Sequence, residues 1–290
     1  MTTTFQIGDC TVHRIIEMEF PFGPALDFLP TLTPELLAEN RAWLRPWALS
    51  DDDKLILCIQ SYVIKTPHHT VLIDSCVGND KDRPARPFWH RKTDPSYLAS
   101  LAAHGLRPED IDVVMCTHLH VDHVGWNTKL ENGRWVPTFA NARYVFGKEE
   151  LTFWLAENEK TLVPAIADSV VPILDANRAD IVDIGHVVGD HIRLLPTPGH
   201  TKGHFAVTLG KTREEAVFTG DLIHTPLQAR YPELAMRVDY DPVQSIATRR
   251  MFFERYCDTP TVCCTAHFPS PSRTRVKRWG NGFQCDYVSD

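Results

Sequence analysis

Short apolar runs alternate with helical stretches along most of the sequence, and several of the runs end in histidine or aspartate. Runs with the length and residue types of strands lie at 11–18, 55–65, 70–74, 111–116, 143–146, 191–195, 205–209, 216–219 and 261–265. Apolar residues at helical spacing lie at 34–44, 95–104, 148–157 and 242–256. This mixture predicts an α/β protein whose strand ends present polar side chains.

The segment 20–53 differs from the rest because it is rich in proline and aromatic residues. It carries four prolines before Arg41, and Trp43 and Trp47 follow close behind. Its aromatic residues could be ordinary core, could cover an active site, or could pack against a second subunit. No internal repeat or long Gly/Ser linker divides the chain. We therefore expect a single domain over residues 1–290, with 20–53 as an N-terminal cover or dimerisation segment and a homodimer as a hypothesis.

The composition and charge of the chain argue against some classes of binding partner. The 290 residues are 43% hydrophobic, which is enough for a large core. The formal charge of -7, with no basic block, argues against nucleic acid. The apolar runs are much shorter than the roughly 20 residues that a membrane-spanning helix needs, and the first residues do not resemble a secretion signal. We expect a cytoplasmic protein that binds neither nucleic acid nor membranes.

The eight cysteines are scattered and form no CxxC pair of the kind found in zinc fingers. Most of them fall inside apolar, strand-like runs. We interpret them as reduced core residues, which is the usual state of buried cysteine.

The strongest chemical signal lies directly after the strand predicted at 111–116. The six residues from His118 to His123 supply three imidazoles and one carboxylate, which are ligands that Zn²⁺ accepts. On extended backbone, His118 and His120 share one face and can hold one ion. A turn after them, helped by the backbone freedom of Gly125, would let Asp122 and His123 face a second position.

The segment THLHVDHVG resembles the HxHxDH signature of the metallo-β-lactamase superfamily. Later candidates follow in the family's order: His200 in TPGHTKGH, Asp221 in FTGD and His267 in TAHFPSP. The resemblance covers roughly residues 55–270 and implies an αβ/βα four-layer sandwich.

The resemblance also implies a metal centre. His118, His120 and His200 would hold a first ion, while Asp122, His123 and His267 would hold a second, and Asp221 would bridge the two. The expected cofactors are two divalent ions, Zn²⁺ in the first place, with Mn²⁺ or Fe²⁺ as alternatives. His204 is interpreted as a structural imidazole that supports the ligands.

The function implied is that of a lactonase or esterase on the lactonase and methyl parathion hydrolase side of the family. A hydroxide bridging the metals would cleave a lactone or ester bond, or a phosphotriester, in a small and partly apolar substrate. Asp122 would act as the catalytic proton carrier, and Trp126, His224 and Phe268 would contact the substrate. True zinc β-lactamases usually have Cys or Ser in place of Asp221, which argues against antibiotic hydrolysis.

Two other functions stay open on sequence grounds. One is a mononuclear iron enzyme of the same fold that uses oxygen, and the other is a catalytically silent binding protein. Metal content separates the first from a hydrolase, and hydrolysis of a simple aryl ester or lactone would dismiss the second.

Overall fold

The computed structural model describes residues 3–288. These residues form two compact units. Unit A comprises Thr3–Glu17 and Ile59–Gly189, and unit B comprises Met18–Cys58 and residues 190–288.

The strands and helices are numbered here in chain order. The strands are β1 (Thr4–Ile7), β2 (Cys10–Pro24), β3 (Lys54–Lys65), β4 (Thr70–Ile73), β5 (Val113–Cys116), β6 (Thr128–Glu131), β7 (Arg134–Pro137), β8 (Arg143–Gly147), β9 (Ala179–Val182), β10 (Val187–Val188), β11 (Ile192–Pro196), β12 (Phe205–Leu209), β13 (Ala216–Phe218), β14 (Val262–Cys264), β15 (Arg273–Trp279) and β16 (Gly282–Tyr287). The helices are α1 (Ala25–Phe28), α2 (Pro34–Leu44), α3 (Ser96–Ala103), α4 (Lys148–Lys160), α5 (Pro164–Ser169), α6 (Val171–Asp175), α7 (Leu227–Arg230) and α8 (Pro242–Tyr256).

The first sheet has the strand order β1-β2-β3-β4-β5-β8-β9. Its strands β4, β5, β8 and β9 run parallel, with Val71 opposite Val113 and Cys116 opposite Phe146. Because parallel strands end at the same edge of a sheet, the residues that follow β4 and β5 lie side by side. These are Asp74 and the histidine-rich loop that begins at Thr117.

The second sheet has the order β10-β11-β12-β13-β14-β15-β16. Strand β12 is antiparallel to both β11 and β13, and β13 is parallel to β14. Strands β11, β13 and β14 therefore point in one direction and end at one edge of unit B. The three loops that leave this edge carry His200, Asp221 and His267.

Two helices of unit B begin with the same sequence device. In α2 the Thr33 side chain accepts a hydrogen bond from the backbone N–H of Leu36, and in α8 the Asp241 side chain accepts one from Gln244. In both, proline is the first helical residue, where its missing N–H costs nothing. These caps explain why both helices start at the predicted residue.

The core of unit B accounts for most of the apolar residues in the segment 20–53. Leucines from this segment form a buried cluster with three side chains of the later chain, Leu227, Leu234 and Met236. Trp43 and Trp47 are partly buried against the same cluster. The role of 20–53 as a cover or dimer contact stays a prediction.

All eight cysteines are free and six of them are buried, so the prediction of reduced core residues is confirmed for those six; Cys257 and Cys285 are only partly buried. Within residues 3–288, every helix is too short or too polar to serve as a membrane span.

Candidate metal centre

Unit A contributes one cluster of candidate ligands, and Asp74 organises it. Asp74 follows β4 with a positive φ of 57°. One of its carboxylate oxygens accepts the backbone N–H of Thr117 at 2.8 Å, and the other lies 2.9 Å from Nδ1 of His123. A single buried carboxylate thus fixes both ends of the loop that carries the HxHxDH sequence.

The imidazoles of this loop lie close together. The ring centroid of His118 is 4.6 Å from that of His120 and 4.1 Å from that of His123. Between the first two, the backbone N–H of Leu119 donates to the buried Glu150 carboxylate at 3.0 Å. The Asp122 side chain is 15% exposed while that of His123 is 2% exposed, so Asp122 is the more accessible to solvent.

Gly125 closes the loop for a reason other than the one the sequence suggested. It does not have a positive φ; instead, a Cβ placed there would lie 1.8 Å from the carbonyl oxygen of Val77. Its backbone N–H donates to the carbonyl of Cys76 at 2.7 Å. Glycine is required because two backbone segments approach closely, not because the turn needs a left-handed residue.

Unit B contributes a second cluster, centred on the carboxylate of Asp221. The Nε2 atoms of His267, His224 and His200 lie 2.9, 3.1 and 3.2 Å from its oxygens. Asp221, His224 and His267 are one of the groups whose ligand atoms all lie within 4.8 Å of one another. All of these side chains are buried.

The other ring nitrogens of two of these histidines are held by fixed partners. Nδ1 of His267 lies 2.9 Å from the carbonyl oxygen of Cys58, and Nδ1 of His200 lies 2.8 Å from the carboxylate of Asp239. Carbonyl and carboxylate oxygens accept hydrogen bonds, so these Nδ1 atoms donate. In the neutral imidazole the Nε2 lone pair then faces the Asp221 carboxylate, which is unfavourable unless the ring takes up a proton or a metal ion lies between the two groups.

This donor arrangement fits a metal ion. Histidine ligands of metals usually donate their second N–H to a carboxylate or a backbone carbonyl, which fixes the ring and its tautomer. His200 and His267 follow this rule in unit B, and His123 follows it in unit A through Asp74. The clusters thus support divalent metal binding by imidazole and carboxylate ligands.

The pKa values of the buried groups in unit B are set by burial and by two carboxylates, Asp221 and Asp239. Burial disfavours the charged form of His200, but Asp221 and Asp239 outweigh it and raise its pKa to about 9. For Asp239, burial opposes ionisation, yet the partner His200 lowers the pKa to about 2. Burial lowers the pKa of His224 to about 4, although Asp221 acts in the opposite direction.

Asp239 is itself held rigidly. It accepts the backbone N–H of Met236 at 2.9 Å and lies 3.6 Å from the guanidinium of the fully buried Arg249. Arg249 also donates to the carbonyls of Leu222, Pro232 and Leu234. The position of His200 therefore depends on a network that reaches α8.

His204 has the structural role that the sequence suggested. Its Nε2 accepts the backbone N–H of Asp221 at 2.9 Å, and its Nδ1 lies 2.8 Å from the hydroxyl of Thr197. It thereby fixes the backbone that carries the central carboxylate.

The predicted substrate residues lie in different surroundings. His224 contacts Asp221, whereas Trp126 is buried, stacks on Tyr97 at 5.2 Å and donates its indole N–H to Glu17. Phe268 is fully buried in the apolar cluster of unit B. Contact with substrate stays a prediction for all three.

The residues that orient the candidate ligands, Asp74 and Asp239, are not among the sites predicted from the sequence. Asp74 had a visible signal, because it is a polar residue at the end of an apolar run. Asp239 had none, since it lies 39 residues from His200 and outside any motif.

The sequence pattern that defines the metallo-β-lactamase superfamily matches residues 59–267, so the chain belongs to this superfamily. Solved structures share the fold. A crystal structure described as the hydrolase AbOPH of the β-lactamase superfamily has 23% identity and a TM-score of 0.82, covering 99% of this chain and 97% of that one. AidC, described as a dizinc quorum-quenching lactonase in complex with a product, has 21% identity, the same TM-score and the same coverage.

A third structure is more distant. It is described as an N-acyl homoserine lactone hydrolase with the product N-hexanoyl-L-homoserine bound at the catalytic metal centre. It has 18% identity and a TM-score of 0.60, covering 84% of this chain and 87% of that one. The family match confirms the predicted superfamily and supports the prediction of a metal-dependent hydrolase, and the solved structures confirm the predicted fold class.

Proposed function

We propose that the chain is a binuclear metal-dependent hydrolase that cleaves a lactone or ester bond in a small, partly apolar substrate. In this proposal His118, His120 and His200 hold one ion, and Asp122, His123 and His267 hold the other. Asp221 bridges the two. The observation that carries the proposal is the Asp221 carboxylate with imidazole nitrogens 2.9 to 3.2 Å from its oxygens, two of them on rings whose other nitrogen is already committed.

Two divalent ions at such a site supply an acidified water and a Lewis acid for the carbonyl oxygen of the substrate. Zn²⁺ is the expected ion because the donors are imidazoles and carboxylates. The similar lactonase AidC is described as a dizinc enzyme, which is in keeping with this choice.

The chain's own residues have separate tasks. Asp122, whose side chain is 15% exposed, takes a proton from the attacking water and passes it to the leaving oxygen. His224 keeps its Nε2 proton on Asp221, and its buried Nδ1, which has no hydrogen-bond partner in residues 3–288, accepts a hydrogen bond from the substrate. Asp74 and Asp239 hold the ligand rings and take no part in proton transfer.

The substrate class follows from the family and from its solved relatives. Two of the similar structures are described as lactone-cleaving enzymes, each with a ring-opened product. A lactone and an open ester pass through the same tetrahedral arrangement at the carbonyl carbon, so one site can serve both. A phosphotriester is the further substrate to be tested.

The test is a substrate panel on metal-loaded protein: acyl-homoserine lactones, aryl esters, phosphotriesters and β-lactams. We expect hydrolysis of a lactone or an aryl ester without oxygen, loss of turnover on chelation, and recovery with Zn²⁺. Asp122→Asn at full metal occupancy should lower kcat, and unchanged turnover would remove Asp122 from the mechanism. Turnover that needs oxygen and a single iron would contradict the proposal, as would the absence of hydrolysis across the panel.

A further inference from the structure

Unit B contains a pocket lined by side chains other than the candidate ligands. It has a volume of about 300 Å³, and its lining includes Trp43, Trp47, Arg230, Asp286 and Tyr287. The walls come from α2 and the turn after it, from α7 and from β16. The pocket is therefore built within one unit, by elements that carry none of the proposed ligands.

Arg230 is the unusual residue in this lining. Its guanidinium lies 3.6 Å from the ring centroid of Trp43 and 4.7 Å from that of Trp279. Among the described residues its side chain has no hydrogen-bond or ion-pair partner, and its Nε is buried. Burial lowers the pKa of Arg230, but an arginine stays charged at any ordinary pH. The pocket thus holds a cation that stacks on two aromatic rings and, among the described residues, has no carboxylate within ion-pair distance.

The pocket is held in place by close packing and by hydrogen bonds of its walls. A Cβ on Gly282 would lie 2.0 Å from the carbonyl oxygen of Arg230, so α7 rests directly on β16. The indole N–H of Trp43 donates to Asn40 at 2.7 Å, and that of Trp47 donates to the carbonyl of Trp43 at 3.1 Å. Both indole N–H groups are therefore committed, so what these two residues can offer a ligand is the part of the ring surface that Arg230 and Tyr287 do not cover.

From this geometry we propose that the pocket binds a small monocarboxylate with a flat or extended apolar body. The planar guanidinium fork matches a carboxylate in a two-point contact. The rings of Trp43, Trp47 and Tyr287 would pack against the apolar body, as aromatic residues do in ligand pockets. The exposed carboxylate of Asp286 on the lining opposes a second negative charge on the ligand.

Calorimetric titration of the metal-loaded protein tests this proposal with two probes, 4-phenylbutyrate and its neutral amide. We expect the carboxylate to bind about 10-fold or more tightly than the amide, since hydrogen bonds to charged groups are the stronger kind. Arg230→Gln should abolish the difference between the two probes. Arg230→Lys should retain part of it, because lysine keeps the charge but not the fork. The matched control is Arg250→Gln, an exposed arginine of α8 outside the pocket.

Trp47→Leu supplies a second variant that leaves Arg230 in place. It should weaken the binding of both probes by a similar factor, because it removes packing surface and no charge. Equal affinity for the two probes in the wild-type protein would overturn the proposal. Carboxylate binding that survives Arg230→Gln unchanged would overturn it as well, and would assign the probe to another site. Neither result depends on whether the protein hydrolyses lactones or esters.

Discussion

The two clusters of candidate ligands are built in opposite ways. In unit A, the ligands come from one loop, His118 to His123, and a single carboxylate on the neighbouring strand end fixes both ends of that loop. In unit B, the ligands come from three strand ends spread over residues 200–267, and His200 and His267 have separate partners. The positions of the candidate ligands in unit A therefore depend on the backbone of one loop, whereas those in unit B depend on the pairing of the strands in the second sheet.

Removing the carboxylate at the centre of unit B should have the largest effect. We expect Asp221→Ala to lower metal content and to lower kcat/KM for the best panel substrate by at least about 100-fold, because loss of a partner that only orients a ligand already costs about 10- to 100-fold. Elemental analysis and steady-state kinetics measure both quantities. Asp183→Ala is the control, since that side chain is 82% exposed; an equal effect there would point to general instability.

Substitution of Asp74 and of Asp239, the carboxylates that hold the ligand rings, tests whether the two clusters are oriented separately. Asp74→Ala and Asp239→Ala should each lower metal affinity by about 10- to 100-fold. The two variants should differ in which ion is affected. Asp74→Ala acts on His123 in the second proposed set, and Asp239→Ala acts on His200 in the first. Competition with a coloured chelator measures the two affinities, and Asp239→Asn should restore part of the loss because the amide oxygen can still accept from Nδ1. Identical loss of both ions in both variants would contradict the separate orientation of the clusters.

Substitution of the glycines next to each cluster by alanine should lower the free energy of unfolding. Gly125→Ala meets the backbone of Val77 at a negative φ, whereas Gly199→Ala meets the backbone nitrogen of Ser245 at 2.3 Å and also has a φ of 130°, so it is strained on both counts. We expect each to destabilise the fold by about 3 kcal/mol, at the upper end of the usual cost of overpacking. Gly133→Ala, with a positive φ but open space around it, should cost about 1 kcal/mol. Urea unfolding measures the three values, and a cost for Gly125→Ala no larger than that for Gly133→Ala would mean that close approach is not what selects glycine at position 125.

A smaller effect on stability is expected from His13, which lies in unit A but outside the cluster of candidate ligands. Burial, His104 and Lys65 lower the pKa of His13 to about 4, from an ordinary value of 6.5. Between pH 6.5 and pH 4 the unfolded chain therefore binds more protons at this site than the folded chain does, so its contribution to stability falls as the pH falls. His13→Gln should show a weaker fall than the wild-type protein over this range. Unfolding free energies at several pH values measure the difference, and parallel curves would exclude the effect.

The sequence could predict the elements whose signals are local. Helices α2 and α8 and strand β12 were predicted at their observed bounds, because caps with proline and short apolar runs mark them. The hairpin of β15 and β16 and the helices α5 and α6 were not predicted. Arg273–Trp279 is rich in basic residues and has no simple alternation, so pairing with β14 and β16 decides its structure.

The candidate site likewise has a part with a local sequence signal and a part without one. The cluster of unit A is visible because four candidate ligands fall within six positions. His200, Asp221 and His267 were found only because the family gives their order, since each is a single residue at a strand end. Asp239 could not be found at all, because its role arises from the path of the chain between β13 and α8.

The metal content of the purified protein after loading with Zn²⁺, measured by elemental analysis beside Asp221→Ala, tests the binuclear centre most directly. We expect two divalent ions per chain in the wild-type protein and fewer than one tightly held ion in the variant. A single ion per wild-type chain, or two ions retained by Asp221→Ala, would contradict the proposal of a binuclear centre that needs the Asp221 carboxylate.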